Sequence, residues 1–295
     1  MVQVSSTFVQ HGQASVTSEN YGSGDFQLDP SDLGVVVAKT HSIMPLDATS
    51  PKGYMANFKW KEVEYSVTID FVDRGYKVRN GKSFLGDARK DWISHRFVPY
   101  CKISGTARIK GQEVNCQGTA LYVEAVSTLA PHAVANTWDF FTLHAPAEQA
   151  AVNLIGFKTP TKYGSTDFYQ GSITLDGKLV SVLIDDASTH TQTEKDPQNG
   201  YSIPTEVAYS WSGRTIDTNE PITATSKVMI GKPENCIDIL AELPWLIRKA
   251  IQAIVAKPFL YQFVDRQAEV EIKIGDQAPR KITGRAYTEC TFVNP

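Results

Sequence analysis

The sequence predicts a mainly β protein, built of antiparallel strands with one or two short helices laid over them. Three observations predict it. Apolar and polar residues alternate with period two in several separate segments, an Asp-Gly pair sits between two of those segments, and helical spacing is sustained in only one place. Such a pattern suits sandwiches or up-and-down barrels of about eight or more strands.

The elements follow in chain order. In 63–71, Val63, Tyr65, Val67, Ile69 and Phe71 alternate with Glu64, Ser66, Thr68 and Asp70, which describes a strand with one buried and one wet face. The run 120–135 is rich in alanine and reads as a second helical piece, interrupted by Pro131. The change of composition over 117–131 is the best candidate for a domain boundary. Residues 173–175 and 179–184 alternate again. Between them Asp176-Gly177 is a hairpin signal, because both central positions of such a turn require positive φ. Asp185-Asp186 then reads as a turn at the solvated end of that strand. From 244 to 256, Ile247, Ala250, Ile251 and Ile254 share one face, Arg248, Lys249 and Gln252 the other. Pro244 suits the first turn and Pro258 ends the segment. In 270–274 the alternation returns, with Glu269 and Glu271 on the wet face. A turn near 274–277 completes another hairpin.

The composition excludes several functional classes. The 295 residues carry 29 Lys+Arg against 32 Asp+Glu, a formal net charge of −3, so bulk charge does not drive nucleic-acid binding. Hydrophobic residues make up 42% and charged residues 21%, which excludes disorder and supplies a core without staples. At roughly 100–200 residues per domain, this length predicts two. Cys101, Cys116, Cys236 and Cys290 form no C-x-x-C pair. No two histidines stand four apart, no N-x-[ST] sequon occurs, and the first residues lack the basic and apolar regions of a secretory leader. The expectation is a cytoplasmic, non-secreted chain with no cofactor and no metal.

Enzyme motifs fail on spacing. Gly75 to Ser83 resembles a phosphate-binding loop, but five residues separate Gly75 from Gly81 where the motif has four, and no strand-to-helix context follows. There is no G-x-S-x-G elbow and no G-x-G-x-x-G. Cys101 and Cys290, in strand-like sequence, read as buried and inert. What stands out is the aromatic load, with 5 Trp, 12 Tyr and 13 Phe and runs such as 138–141 and 259–263. Aromatic side chains either fill a core or line an apolar ligand cavity.

Several segments carry a resemblance. Pro131-His132 with Ala135, Trp138 and Phe140 comes first. Phe157, Thr159-Pro160 and Tyr163-Gly164 follow, then Glu242-Leu243-Pro244, then the run from Pro258 through Tyr261-Gln262 to Asp265, and finally Gly284-Arg285-Ala286. In this order and spacing, over 131–295, they resemble the fungal survival-factor family. Residues 82–106, around Trp92, His95 and Arg96, are similar to the closing part of that family's first domain. The resemblance implies two lipocalin-like antiparallel barrels or curved sheets, 1–125 and 126–295, the first shortened as in a divergent paralogue.

It also implies a function: non-enzymatic binding, sequestration or transfer of an apolar lipid-like ligand of the ceramide or sphingolipid type, linked to oxidative-stress survival. Peripheral contact with ER or Golgi membranes, and no nucleic-acid partner, belong to the same expectation. No catalytic residue is assigned. The ligand-binding candidates in the matched segments are Trp138, Phe140, Tyr163, Tyr261 and Gln262. The alternative is a cofactor-free lipocalin-fold cyclase or isomerase, pericyclase-like, acting on an apolar natural-product intermediate. Such catalysis needs shape and a few hydrogen-bond donors and leaves no motif.

Overall fold

A computed structural model describes residues 2–10, 13–28, 34–49, 52–129, 131–240 and 257–293. The fold class is the one the sequence predicts, mainly β and antiparallel throughout the described pairs. Contacts divide the chain into two compact units, one of residues up to Arg74 with Tyr100–Ala120, the other of Gly75–Pro99 with Leu121 onward.

The first unit begins with a hairpin of β1 (Val2–Gln10) and β2 (Gln13–Tyr21). Its sheet runs through β3 (Phe26–Leu28), β4 (Val35–Val37), β5 (His41–Pro45), β6 (Gly53–Lys59) and β7 (Val63–Phe71). The alternation read at 63–71 is this last strand, with Val63 and Val67 buried and Glu64, Ser66 and Asp70 exposed. Its core gathers Val4, Val37, Trp60 and Val63 around the buried His41.

Continuing along the chain are β8 (Ser83–Leu85), β9 (Asp91–Ile109), β10 (Gln112–Asn115) and β11 (Gly118–Ser127). The second half of β9 pairs with β7 and β10 in the first unit, while its first half pairs with β8 in the second. The expected helix over 120–135 is corrected here. β11 occupies its first half and pairs with β9, and among its described residues only α1 (Pro131–Val134) is helical. Sheet pairing prevails because Thr119, Tyr122, Val123 and Val126 are strand formers among the alanines. The helix expected at 244–256 lies outside the described residues.

The second unit is dominated by a ten-stranded sheet made of β12 (Thr137–Ala145), β13 (Ala150–Lys158), β14 (Asp167–Leu175), β15 (Lys178–Leu183), β16 (Ala187–Lys195), β17 (Ser202–Arg214), β18 (Pro221–Met229), β19 (Asn235–Asp238), β20 (Phe259–Ile274) and β21 (Arg280–Phe292). Its order is β15-β14-β13-β12-β21-β20-β18-β17-β16 with β19 on β20, and the sheet curls so that Ile216 N–H donates to Val180 O at 2.8 Å. The Asp176-Gly177 turn joins β14 to β15 with φ of 53° and 76°, as its residue types require. Inside the curl Phe141, Leu154, Ile173, Tyr209, Trp211 and Phe263 are each 2% exposed or less. These aromatic residues fill a core.

Asp185 and Asp186 differ from the solvated strand end read in the sequence. Asp185 is exposed, but Asp186 is buried at 7% exposure. Gly171 makes this possible, since a Cβ there would stand 2.7 Å from the Asp186 carboxylate. Burial first, then the neighbouring Asp185 charge, push the Asp186 carboxyl up to about 7 against the counter-pull of the Ser212 backbone and the Arg79 guanidinium.

Candidate functional site

Successive residues of a strand point to opposite faces, so each strand of the second unit contributes to two surfaces. On β12, Phe141 and Leu143 enter the core, while Trp138, Phe140, Thr142 and His144 line the outer face. The ladder register then lays out a row across five strands of that outer face. Gln170 stands opposite Ile155, Ile155 opposite Phe140, Phe140 opposite Glu289, and Glu289 opposite Gln262, with Asn235 beyond. The half of this row beyond Phe140, made of Glu289, Gln262 and Asn235, is polar, and the other half joins the apolar Phe140 and Ile155 to the buried Gln170.

The polar half is a hydrogen-bonded chain. Asn235 Nδ2 donates to Gln262 Oε1 at 3.0 Å, Gln262 Nε2 donates to Glu289 Oε2 at 3.4 Å, and Tyr287 Oη donates to the same carboxylate oxygen at 2.7 Å. Burial pushes the Glu289 carboxyl up, while the Tyr287 and Gln262 donors pull the other way and lose. The Tyr287 hydroxyl is also raised, by burial and by the Glu289 charge.

One row over, on the same face, lies an aromatic ladder. Trp138 and Phe157 lie 4.7 Å apart between ring centroids, and Phe157 and Phe168 stack at 5.1 Å. The Arg79 guanidinium sits 5.4 Å over Phe168, and the buried His95 ring approaches Trp138 edge-on at 6.2 Å. Burial lowers the His95 imidazole to about 4, so it is neutral at physiological pH.

Four of the five expected site residues belong to this side of the sheet. Trp138 and Phe140 project from β12 and Gln262 from β20. Tyr163, in a short turn after β13, joins the apolar group around Phe157 and Trp138 and donates from Oη to Asp91 Oδ2 at 2.7 Å. Tyr261 stands apart from them. As the immediate neighbour of Gln262 it faces the core, 1% exposed, where Oη donates to Asp196 Oδ2 at 2.6 Å and accepts from Asn199 Nδ2 at 3.1 Å. Sequence reasoning missed Tyr287, Glu289 and His95 as parts of the same surface. A strand read through 280–292 puts Tyr287 and Glu289 on one face, which was the available signal.

This arrangement sets the partly buried edges of an aromatic cluster, Trp138, Tyr163 and Phe168 packed against Leu85, Ile93, Val134 and Ala135, beside a short line of donors and acceptors. It can hold a chain by burial and a neutral polar head by hydrogen bonds. No set of three His, Cys, Asp or Glu donors converges on this outer face among the described residues. At the far end of the same sheet, an open depression of about 460 Å³ is lined by Leu175, Val180, Ile272 and Ile274. The Arg280–Asp176 ion pair at 3.3 Å on its rim makes it a charged, solvent-facing groove.

Comparison with known proteins adds the following. The chain matches the model of the Svf1 family over residues 9–294. It is similar to the ceramide-binding protein svf1 of Schizosaccharomyces pombe, 30% identical over 220 residues covering 73% of this chain and 57% of that protein. It is similar also to the ceramide-binding protein svf1 of Emericella nidulans, 28% identical over 234 residues covering 77% and 60%. The chain thus spans less than two thirds of the length of these curated relatives. Among solved structures it resembles kievitone hydratase from Nectria haematococca, with a TM-score of 0.58, 14% identity, and coverage of 96% of this chain and 76% of that one. At that identity the likeness is one of fold.

Proposed function

The chain belongs to the Svf1 family, and from that premise we propose that it binds a ceramide-type lipid, without covalent chemistry, on the outer face of the second unit's sheet. The observation that carries this reading is the cross-strand row in which Phe140 stands opposite Glu289 and Glu289 opposite Gln262, next to the Trp138–Phe157–Phe168 ladder. A ceramide has an amide, two hydroxyls and two long chains. Each methylene buried against the ladder gains about 0.8 kcal/mol. The head needs partners, because a buried hydroxyl left unpaired costs about 1–3 kcal/mol. Gln262, Tyr287 and a Glu289 carboxyl biased toward its neutral form are such partners. The core-facing side of the sheet is filled by Phe141, Tyr209, Trp211 and Phe263, whereas Trp138, Phe140 and Phe168 on the outer side are only partly buried.

Trp138 fluorescence tests it. Titration with a short-chain ceramide should change the emission saturably, and Trp138→Ala should weaken binding by about 1–3 kcal/mol without unfolding the protein. Gln262→Ala should weaken ceramide more than a fatty alcohol that lacks the amide. Wild-type protein that binds no long-chain lipid but turns over an apolar natural-product intermediate would replace this reading with the cyclase or isomerase alternative. Cytoplasmic placement, peripheral ER or Golgi contact and a part in oxidative-stress survival extend the same proposal. Flotation with ceramide-containing vesicles and survival of a deletion strain under peroxide check the last two.

A further inference from the structure

The inner face of the same sheet holds a second cluster, separate from the lipid face because strand alternation turns Cys290 inward where Glu289 turns outward. Asp139 of β12 stands directly opposite Cys290 of β21 in the ladder, so their side chains share that inner face. From β16, Ser188 and His190, two residues apart, reach the same carboxylate. His190 Nε2 lies 2.9 Å from Asp139 Oδ1, and Ser188 Oγ donates to Oδ2 at 2.6 Å. Cys290 Sγ is 3.9 Å from His190 Nε2, and the carboxylate, imidazole and thiol donor atoms all fall within 4.8 Å of one another.

We propose that Asp139, His190 and Cys290 form a binding site for a thiophilic divalent metal ion of the zinc class. With the carboxylate oxygen 2.9 Å and the sulfur 3.9 Å from His190 Nε2, and all three within 4.8 Å of one another, the donors can close on one ion at about 2.0–2.3 Å each by small side-chain rotations. One oxygen, one nitrogen and one sulfur make a borderline-soft set that suits zinc over magnesium or calcium. The supports are already in place. Ser188 holds the second carboxylate oxygen and leaves Oδ1 aimed at the imidazole. A register shift in β16 between His190 and Gln192 re-aims the strand at the histidine. The Phe292 ring packs edge-on to the imidazole at 6.2 Å. The side chains of Asp139 and His190 keep 19% and 23% exposure, so an ion has an entry path and water can take a fourth position. On binding, the Cys290 thiol gives its proton to solvent and the thiolate takes the metal.

Cobalt(II) is the probe, because its thiolate complexes absorb in the near ultraviolet and four-coordinate cobalt absorbs strongly in the visible. Chelator-treated full-length protein titrated with Co²⁺ should develop both bands at one equivalent and lose them when Zn²⁺ is added. Cys290→Ser should abolish the near-ultraviolet band, and His190→Gln should weaken Co²⁺ affinity at least 10-fold. Cys116→Ser and Cys236→Ser should change neither. Because Cys290 is buried and its serine variant can fail to fold, the more exposed His190→Gln decides if that happens. Absence of a one-equivalent thiolate band in wild-type protein overturns the proposal. So does His190→Gln binding Co²⁺ as tightly as wild type, or loss of the band in Cys116→Ser or Cys236→Ser instead.

Discussion

Asp186 shows how much a single residue's surroundings change its chemistry. It lies beside Asp185 in the chain, yet it alone is buried, in the space Gly171 leaves open, with its carboxyl raised to about 7. Because the folded-state value is raised above the unfolded value near 3.8, the folded protein keeps a proton between these two values that the unfolded chain has lost. Asp186 therefore favours the folded state least above pH 7, and its penalty disappears below about pH 4. Asp186→Asn removes the ionisation. Its thermal unfolding midpoint should exceed that of wild type at pH 8, by on the order of 2–4 kcal/mol in stability, and the gap should close toward pH 4. A difference of the same size at pH 4.5 and pH 8 would contradict the assignment. At this scale, too, Tyr261 and Gln262 part company. Adjacent in sequence and both read as ligand contacts, they face opposite sides of the sheet, and only Gln262 joins the polar row.

Hairpins are the elements whose local chemistry fixes their geometry. The Asp176-Gly177 turn needs two residues at positive φ, and glycine is the residue that accepts it freely. Gly177→Val should cost about 1–2 kcal/mol. The expected result is a lower denaturant midpoint with an unchanged slope, and an unaltered midpoint would mean that the turn is not held in this conformation. β11 is the opposite case. Its alanines suggested a helix, yet its valines, threonine and tyrosine pair with β9, because sheet propensity is realised only when a neighbouring strand is present. No local pattern announces that neighbour.

For the whole molecule, ligand binding should appear as stability. A lipid that binds the folded protein and not the unfolded chain adds about 2.7 kcal/mol at one hundred times its dissociation constant. Short-chain ceramide should therefore raise the unfolding temperature in a concentration-dependent way, and Trp138→Ala should blunt the rise. A midpoint indifferent to ceramide up to its solubility limit would count against the lipid reading. Zn²⁺ should add its own increment, lost in His190→Gln and kept in Trp138→Ala, since the two sites lie on opposite faces of one sheet.

The sequence by itself determined the mainly β class, the strand at 63–71, the hairpin at Asp176-Gly177 and the buried state of Cys101 and Cys290. These depend on period-two alternation, on backbone φ and on hydrophobicity, which are properties of neighbouring residues. It also carried the family resemblance, and four of the five candidate residues drawn from it meet on one side of a sheet. Only the tertiary structure decided which residues complete that surface. Phe140 lies more than a hundred positions before both Gln262 and Glu289, and strand register alone brings the three into one row. The same holds for Asp139, His190 and Cys290, whose spacing in the chain resembles no ligand motif. Alternation tells which residues share a face of one strand, but the pairing of distant strands is chosen by the packing of the whole core, and that choice places the donors.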